Sequence, residues 1–314
     1  MTITEGVRQF TEWRGYNKSF RTINGNLRDL THFCIYLRDP DFPVEDIKVE
    51  DFMRFMTLLE KLGYDRNTLQ KKAVSTKLFF DHLSDRGLKV MDGGLIPIPS
   101  KIFRMPRVAD EESYKKLLAV IPEQGKCRPA YYLLRDKAII MMVHDTGARN
   151  SEVTGLDIAD LNLEKMSAGI DTKKSRGLIP FREIFWTKET NEVLKKWLEA
   201  RTQLAKSFEL LDKDAVFIGV KARGVKGRRM AVSYVSEIFR KYSNKAGLEF
   251  PNAATNPHSY RHLLGRDMAV AREDAFAISS ILGHARVQSS YPYTMLFGKQ
   301  REDVYRRTRD QVPA

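Results

Sequence analysis

Apolar residues recur at helical spacing through the first hundred positions of the chain. Over 20–37 they alternate steps of three and four, which places one apolar stripe on a helix and leaves polar and basic side chains on the other face. The stripe consists of Phe20, Ile23, Leu27, Leu30, Cys34 and Leu37. Two further helices are predicted, one over 47–62 that ends at Gly63 and one from Asp65, a capping residue, to Leu83. The pattern predicts a compact helical domain.

The helical periodicity breaks between Met91 and Met105. Paired glycines and two nearby prolines interrupt both the helix and the strand pattern there, as is typical of an interdomain connection. We therefore predict a helical domain over 1–105, a linker near 91–107 and a second domain over 108–314. The length of 314 residues agrees with two domains, each long enough to bury its own core.

The second domain is predicted to be mainly helical with one small sheet. Helical patterns occupy the segments 111–121, 131–144, 191–204, 232–246, 260–271 and 274–282. Two extended pieces, 168–171 and 178–181, flank turn residues from Lys174 to Gly177, which predicts a hairpin. The predicted fold class is α+β, mainly α with a small β-sheet.

The charge of the chain points to a polyanionic partner. Lysine and arginine number 53 against 40 aspartates and glutamates, a net charge of +13. Such an excess attracts nucleic acid, although charge alone also fits a solvated basic surface. Candidate phosphate contacts on the third helix are Arg66, Lys71, Lys72 and Lys77. Those in a later loop, for which a solvated segment without a partner is the alternative, are Lys221, Arg223, Lys226, Arg228 and Arg229.

Cysteine usage and hydropathy predict a cytoplasmic protein. Cys34 and Cys127 lie far apart and form no paired motif, which argues against a disulfide framework and a thiolate metal site. The N-terminus lacks a basic start followed by an apolar region, and no stretch of about 18 apolar residues occurs. We expect neither secretion nor membrane spanning.

Three short stretches of the second domain place cations or imidazoles beside turn residues. The first, HDTGARNSE at 144–152, sets Arg149 three residues before Glu152, which on its own is typical of a surface ion pair. The third, LGH at 282–284, is followed nine residues later by Tyr293. A single tyrosine is more often a packing residue than a nucleophile, so its meaning depends on the rest of the pattern.

The second stretch, PHSYRH at 257–262, combines imidazole and guanidinium groups at helical spacing. Pro257 fits the first turn of a helix. His258 and Arg261 are three residues apart and share a helix face, so both point at one anion. His262 lies four residues from His258 and suggests a zinc pair, but no neighbouring Cys, Asp or Glu completes a ligand set. We expect no metal here.

Together these side chains make a complete set for metal-free transfer of a phosphodiester. Two arginines and two imidazoles neutralise the nonbridging oxygens as charge grows in the transition state. A tyrosine hydroxyl, whose ordinary pKa is about 10, becomes a competent nucleophile beside cations that favour phenolate. A lysine on the hairpin, Lys173 or Lys174, delivers the proton that the leaving 5′ oxygen needs.

The ordered combination resembles the signature of the tyrosine recombinase, or phage integrase, family. That signature couples an arginine in T-G-x-R-x-S-E with H-x-x-R-H and with L-G-H followed nine residues on by tyrosine. Here these are 146–152, 258–262, and 282–284 with Tyr293. The first domain is similar to the family's core-binding domain, notably in YDRNT and in FFDHL at 79–83. The resemblance covers most of the chain and implies a two-domain, C-shaped DNA clamp.

The resemblance also implies roles for individual residues. Arg149 and Arg261 bind the scissile phosphate. His258 assists proton movement, and His284 hydrogen-bonds the phosphate. Glu152 is similar to the family's acidic partner, which helps to orient the active-site residues.

The nucleophile and the general acid follow from spacing within the resemblance. The distance from His284 selects Tyr293 over Tyr291, with the unusual Pro292 between them. Counting back from the apolar-Pro step of the hairpin favours Lys173 as the family lysine, and Lys174 is the alternative.

The implied activity is site-specific DNA recombination. Tyr293 cleaves one strand, leaving a 3′-phosphotyrosyl bond and a free 5′ hydroxyl that attacks a partner duplex, so strands exchange pairwise through a Holliday junction. The implied partners are double-stranded DNA with paired half-sites and a DNA-bound homo-tetramer, in which each subunit docks its C-terminal segment, 296–314, on a neighbour. No cofactor is implied, and the protein is nucleoid-associated when bound to DNA.

Three other functions are alternatives. A type IB topoisomerase uses the same chemistry but relaxes supercoils alone, and the short chain with its separate helical first domain disfavours it. A catalytically silent DNA-binding regulator on the same scaffold is disfavoured because all the residue types of the site are present. A phosphoesterase built on a histidine-bound metal predicts loss of activity with a chelator.

Overall fold

The chain divides into two compact units, Met1–Arg104 and Met105–Ala314. The structure is a computed structural model. It describes residues 1–122, 130–171, 181–207, 210–219, 227–248, 252–284, 286–295 and 306. Among these residues, none of the helices has the length and apolarity needed to cross a lipid bilayer.

The first unit is a helical bundle built around aromatic side chains. Its helices are α1 (Ile3–Gly15), α2 (Phe20–Leu37), α3 (Val49–Lys61) and α4 (Arg66–Asp85), with 3-10 turns at Val44–Asp46 and Gly93–Leu95. The side chains of Thr2, Ser19 and Asp65 accept backbone N–H groups at the starts of α1, α2 and α4. Buried phenylalanines from these helices make ring contacts in the core, and they are Phe10, Phe33, Phe52, Phe55, Phe79 and Phe80.

The first unit departs from the sequence-based expectation mainly at helix ends. Helices α2, α3 and α4 correspond to the predicted segments, whereas the pattern did not predict α1. Phe20, a member of the predicted apolar stripe, is 78% exposed, and Leu62, the last residue of the predicted helix over 47–62, is 63% exposed. Phe20 is the first residue of α2 and Leu62 follows the last residue of α3. Both positions lie at helix ends, where the helical period alone overstates burial.

The second unit is mainly helical and is organised around one buried helix. Its helices are α5 (Glu111–Ala119), α6 (Ala130–Thr146), α7 (Asn150–Gly155), α8 (Lys188–Ser207), α9 (Val232–Lys245), α10 (Pro257–Val270), α11 (Ala275–Leu282) and α12 (Tyr291–Thr294). In α6 the successive residues from Ile139 to Val143 are buried, and the helix packs against α8 and α10. Consecutive buried residues cover every side of a helix, so this part of α6 belongs in the core.

The sheets among the described residues are small and antiparallel, which confirms the mainly helical α+β prediction. β1 (Leu161–Asn162), β2 (Ser167–Asp171) and β3 (Phe181–Phe185) form one sheet in that order, and β4 (Ile218–Gly219) pairs with β5 (Arg228–Arg229). β3 continues four residues beyond the predicted end at 181. Arg182 and Ile184 both face inward there, and the buried arginine disrupts the apolar alternation that the prediction relied on.

Candidate active site

Arg149 is held at the start of α7 by the acidic residue three positions later. Its N–H donates to Glu152 Oε2 at 2.8 Å and its Nη1 donates to Oε1 at 2.5 Å. Glu152 is buried, so this is not a surface ion pair. The preceding turn requires Gly147, which has φ +57° and where a Cβ would lie 3.1 Å from Leu264. The local sequence therefore fixes the guanidinium at a helix N-terminus.

A second arginine, from β3, shares the carboxylate of Glu152. Arg182 is buried, and its Nη2 donates to Glu152 Oε2 at 2.7 Å while its Nη1 donates to the Ile281 carbonyl at 2.5 Å. Burial alone would raise the pKa of Glu152, but Arg182 and Arg149 outweigh it and hold the pKa below its ordinary value. Glu152 is thus a carboxylate between two guanidinium groups. Arg182 was not predicted as a site residue, and its only signal in the sequence was a basic residue directly after the predicted strand 178–181.

Arg261 and Arg149 converge on the end of α11. Arg261 is 1% exposed, its Nη1 donates to the Gly147 carbonyl at 2.9 Å and its Nη2 donates to the Leu282 carbonyl. Arg149 Nη2 donates to the next carbonyl, that of Gly283, at 2.9 Å. Carbonyls at a helix C-terminus lack intrahelical partners and attract cations. Two guanidinium groups are thereby anchored on consecutive peptide oxygens.

The charge around Arg261 is not balanced by the residues that surround it. Burial, followed by the neighbouring Arg149 and Arg182, lowers the pKa of Arg261 to about 9. Among these groups three guanidinium charges face one carboxylate, that of Glu152. A buried cation beside like charges is electrostatically costly unless an anion joins it. The arrangement is suited to binding an anion.

The glycine of the LGH stretch is required by backbone and packing together. Gly283 caps α11 with φ +63°, and a Cβ there would lie 2.5 Å from Arg182 Cδ. The His284 N–H then donates back to the Ser279 carbonyl at 2.9 Å, which closes the end of the helix. This turn brings His284 next to the anchored arginines.

The two predicted imidazoles lie beside the arginines. His258 is exposed in the first turn of α10, where the Asn256 side chain accepts its N–H at 3.0 Å. His284 Nδ1 lies 2.7 Å from Ser290 Oγ. Partial desolvation, then Arg261 and Arg149, lowers the pKa of His258, and the same causes lower that of His284 to about 3. Both rings are therefore neutral at neutral pH.

Tyr293 faces this cluster from α12, and Tyr291 does not. The Tyr293 ring stacks on His284 with centroids 6.3 Å apart and an interplanar angle of 14°. Burial raises the pKa of Tyr293, and Arg261 partly offsets the rise. Tyr291 is 46% exposed at the start of the helix. Pro292 lies in the first turn of α12, where its missing N–H costs no hydrogen bond.

His262 contacts the tyrosine, a role that the sequence analysis did not assign to it. Its Nδ1 lies 2.6 Å from Tyr293 Oη. Its ring meets that of His258 edge to face with centroids 4.6 Å apart. In the sequence the two histidines are related only by their four-residue spacing, which suggests a zinc pair and not a contact with the tyrosine. Lys173 and Lys174, the candidates for the general acid, lie outside the described residues, between β2 and β3.

The basic candidates on α4 differ in what they offer a phosphate. Arg66 and Lys71 are exposed, and Lys77 pairs with Asp81 at 3.1 Å. The prediction for Lys72 is corrected, because this residue is 2% exposed and lies on the same face of α4 as the apolar positions.

The later basic stretch is described only at its end. Arg228 is exposed. Arg229 is partly exposed, and its guanidinium pairs with Asp157 and with Asp212 and donates to the Thr154 carbonyl at 3.2 Å, so its contact with phosphate stays a prediction. Lys221, Arg223 and Lys226 lie outside the described residues.

The chain is similar in sequence to proteins named tyrosine recombinase. The chain is 26% identical over 286 residues to tyrosine recombinase XerC of Alcanivorax borkumensis, covering 90% of this chain and 86% of that protein. It is 25% identical over 263 residues to tyrosine recombinase XerA of Pyrococcus furiosus, covering 82% and 79%.

Solved structures share the fold. The Tn1549 transposon integrase in complex with transposon right end DNA superposes with a TM-score of 0.71 at 19% identity, covering 100% of both chains. XerH site-specific recombinase bound to difH substrate, in a pre-cleavage complex, has a TM-score of 0.69 at 18% identity, covering 96% of this chain and 84% of that one. The family model for phage integrases matches residues 107–299. Since this match spans more than half of the chain, the protein belongs to the phage integrase family.

Proposed function

We propose that this protein is a site-specific DNA recombinase that cleaves and rejoins strands through Tyr293. One observation carries the proposal: Arg149 and Arg261 are anchored on the consecutive carbonyls of Gly283 and Leu282, directly before His284 and beside the tyrosine. The phage integrase match and the relatives named tyrosine recombinase support the same function.

The two arginines bind the scissile phosphate. A guanidinium has five N–H donors in a planar fork that matches paired phosphate oxygens. Arg149 directs donors to Glu152 and Gly283, and Arg261 directs donors to Gly147 and Leu282, so further N–H groups of each are available to an anion. The phosphate supplies the negative charge that the three arginines lack.

The imidazoles add hydrogen bonds to the phosphate. With His284 Nδ1 accepting from the Ser290 hydroxyl, the neutral ring has its proton on Nε2 and donates from there. His258, one helical turn before Arg261 and exposed, assists proton movement at the same phosphate. Binding an anion raises the pKa of both rings, which strengthens their donation as charge develops.

The chemical step exchanges one phosphodiester for another. Tyr293 Oη attacks the phosphorus, the bond from phosphorus to the 5′ oxygen breaks, and the DNA 3′ end becomes linked to the tyrosine. The leaving oxygen takes a proton from Lys173, with Lys174 as the alternative. A 5′ hydroxyl of a partner duplex reverses the reaction, so two such exchanges pass through a Holliday junction without a cofactor.

We propose double-stranded DNA with paired half-sites as the substrate and a homo-tetramer as the active assembly, in the cytoplasm. Exchange of the C-terminal segment 296–314 links the subunits, although this segment lies outside the described residues except at Arg306. Neighbouring folds solved in complex with DNA support a DNA partner.

The test uses nicked suicide substrates built from inverted repeats in the DNA that flanks the gene. After cleavage the short fragment that carries the free 5′ hydroxyl diffuses away from the nicked strand, so the reaction cannot reverse and the covalent protein is trapped. We expect an SDS-resistant adduct, with mass spectrometry placing the nucleotide on Tyr293. Joining of two sites on plasmids distinguishes a recombinase from a topoisomerase, which relaxes supercoils without joining. DNA binding without an adduct would instead indicate a silent regulator.

A further inference from the structure

The hydroxyl of Tyr293 forms a short hydrogen bond with a histidine to which the proposed mechanism gives no role. His262 Nδ1 and Tyr293 Oη lie 2.6 Å apart, and the rings are tilted by 47° with centroids 5.8 Å apart. His262 follows Arg261 directly on α10, so one helix turn presents both an arginine and an imidazole to the site. The contact joins the reacting oxygen to a group able to take its proton.

The packing around this pair fixes its geometry. His262 and Gly265 are three residues apart and share a helix face, and a Cβ at position 265 would lie 2.9 Å from the Tyr293 ring. Glycine therefore makes room for the tyrosine. His284 lies on the ring from the other element, and His258 meets His262 edge to face. The hydroxyl is thus directed at Nδ1 by contacts on several sides.

The charges around the pair keep the His262 ring neutral. The groups that face His262 are His258 and Arg261 on α10, His284 after α11 and Tyr293 on α12. Burial, then His258 and Arg261, lowers the pKa of His262 to about 4. The ring is therefore neutral at neutral pH, and with its proton on Nε2 it accepts at Nδ1 from the tyrosine hydroxyl.

A phenol in this environment needs a base. Burial raises the pKa of Tyr293, so the hydroxyl does not ionise by itself at neutral pH. The lysine of the proposed mechanism serves the opposite oxygen, where it donates a proton. The tyrosine therefore needs a proton acceptor of its own, and His262 Nδ1 is in hydrogen-bond contact with its Oη.

We propose that His262 is a further catalytic residue, which orients the Tyr293 hydroxyl and accepts its proton as the hydroxyl attacks phosphorus. The O–H bond of the phenol breaks and the proton moves to Nδ1. The electron pair of the O–H bond forms the Oη–phosphorus bond, and the bond from phosphorus to the 5′ oxygen breaks with its electron pair on that oxygen, which takes the proton of the lysine. When strands rejoin, the imidazolium returns the proton to the departing tyrosine oxygen. This inference rests on the proposed function.

The proposal divides proton transfer between two residues, which makes them separable. A 5′ sulfur leaving group needs less proton donation than oxygen, so it compensates for loss of the lysine. It does not compensate for loss of the acceptor at the tyrosine. Fluorinated tyrosine at position 293, whose phenol has a lower pKa, has the reverse effect and compensates for loss of His262 alone.

The experiment measures single-turnover adduct formation on nicked suicide substrates for the wild type, His262→Ala and His262→Asn. Asparagine accepts a hydrogen bond near the position of Nδ1 but takes no proton. We expect both variants to form adduct about 100-fold more slowly or worse, with DNA binding in gel shifts unchanged. Fluorotyrosine at 293 should restore most of the rate, and the 5′ sulfur substrate should not. Val270→Ala, exposed at the end of α10, is the matched control.

Each result decides between the proposals. An adduct rate for His262→Ala within threefold of the wild type overturns the inference while the proposed function stands. A wild-type adduct rate for His262→Asn would show that the residue at 262 only orients the hydroxyl and does not take its proton, which also overturns the inference. The asparagine variant guards against misfolding of the alanine variant. If the wild type forms no adduct at all, the proposed function fails first and the inference falls with it.

Discussion

The basic groups of the second unit's active-site cluster and those of α4 in the first unit are held by different kinds of partner. Arg261 and Arg149 donate to the backbone carbonyls of Leu282 and Gly283. Lys72 on α4 lies among side chains, with Nζ 2.8 Å from His32 Nδ1 and 3.4 Å from Asp29 Oδ1. Backbone carbonyls orient a cation but leave its charge in place, whereas a carboxylate neutralises the charge of the cation that it pairs with.

This difference decides which cations can serve an incoming anion. In the active-site cluster one carboxylate, Glu152, stands between Arg149 and Arg182, and Arg261 has none among its hydrogen-bond acceptors. On α4 Lys72 is paired internally. A count of positive charges does not distinguish the two regions, but their hydrogen-bond partners do. The active-site cluster has positive charge that no carboxylate neutralises. On α4 the charge of Lys72 is neutralised internally, so only its exposed neighbours can bind an anion.

The largest effect is expected from removing the group on which the active-site charge acts. Tyr293→Phe should bind DNA like the wild type but form no detectable covalent adduct, because phenylalanine keeps the ring contact with His284 and lacks the attacking oxygen. Adduct on a nicked suicide substrate is resolved by denaturing gel.

The matched control for that experiment is Tyr291→Phe, two residues away and exposed. It should form adduct at the wild-type rate. Adduct formation by Tyr293→Phe, or its loss in Tyr291→Phe, would assign the nucleophile to the other tyrosine and remove the basis for the cluster.

A smaller effect is expected when the charge is kept and the fork is removed. Arg261→Lys retains a cation, but a single ammonium cannot span the Gly147 and Leu282 carbonyls and also pair with two phosphate oxygens. We expect the adduct rate to fall about 100-fold. Rapid-quench kinetics on the nicked substrate measures it.

Arg266→Lys controls for the change of residue type on the same helix. Arg266 is exposed and pairs with Asp267 at 2.9 Å, away from the carbonyl anchors. Its adduct rate should stay near that of the wild type. Equal rates for Arg261→Lys and the wild type would show that charge alone suffices and that the carbonyl anchors are irrelevant to catalysis.

The sequence predicts those members of the active-site cluster that lie close together along the chain or within one motif. Helical spacing put His258 and Arg261 on one face, and the turn glycines preceded Arg149 and His284, so these positions were predictable. Arg182 and His262 were not recognised, because their partners lie 30 and 31 residues away in sequence. The periodicity of a sequence predicts only which residues share a face within one helix. It does not predict contacts between elements that are distant in sequence.

The same limit explains the fold-level differences. The helical character of the chain followed from periodicity, but Lys72 was placed on the solvent face although it lies three residues from Leu69 and four from Thr76, both buried. A partly buried polar network joins Lys72 and Ser75 of α4 to Asp29 and His32 of α2. Lys72 was predicted to be exposed because it is charged, whereas its position along the helix, beside buried residues, indicates the opposite.

A third effect, on stability, tests the carboxylate within the active-site cluster. Glu152→Gln keeps the shape of the side chain but leaves Arg149 and Arg182 without their counter-charge. We expect the free energy of unfolding at pH 7 to fall by about 3 kcal/mol. Urea unfolding followed by tryptophan fluorescence measures the change, and Glu183→Gln, exposed on β3, should have almost no effect.

The pH dependence of that difference has a definite sign. The folded-state pKa of Glu152 lies below its ordinary value, so the carboxylate stabilises the fold above the unfolded-state pKa. This contribution is lost as pH falls from about 5 through the lowered pKa. The gap between the wild type and Glu152→Gln should therefore narrow in acid. A gap that widens as the pH falls would contradict the assigned ionisation.

The smallest effect is expected at Lys72, and it sharpens the contrast between the two regions. Lys72→Met fills the same buried space without a charge, so DNA affinity and its salt dependence should equal those of the wild type. Lys71→Ala, at the exposed neighbouring position, should reduce the salt slope by about 0.9 because one phosphate contact is lost. Affinity measured across a range of salt concentrations compares the two variants. If Lys72→Met lowered the salt slope as much as Lys71→Ala, Lys72 Nζ would have to leave Asp29 and His32 when DNA binds. Pairing with other side chains would then not predict which basic residues contact phosphate.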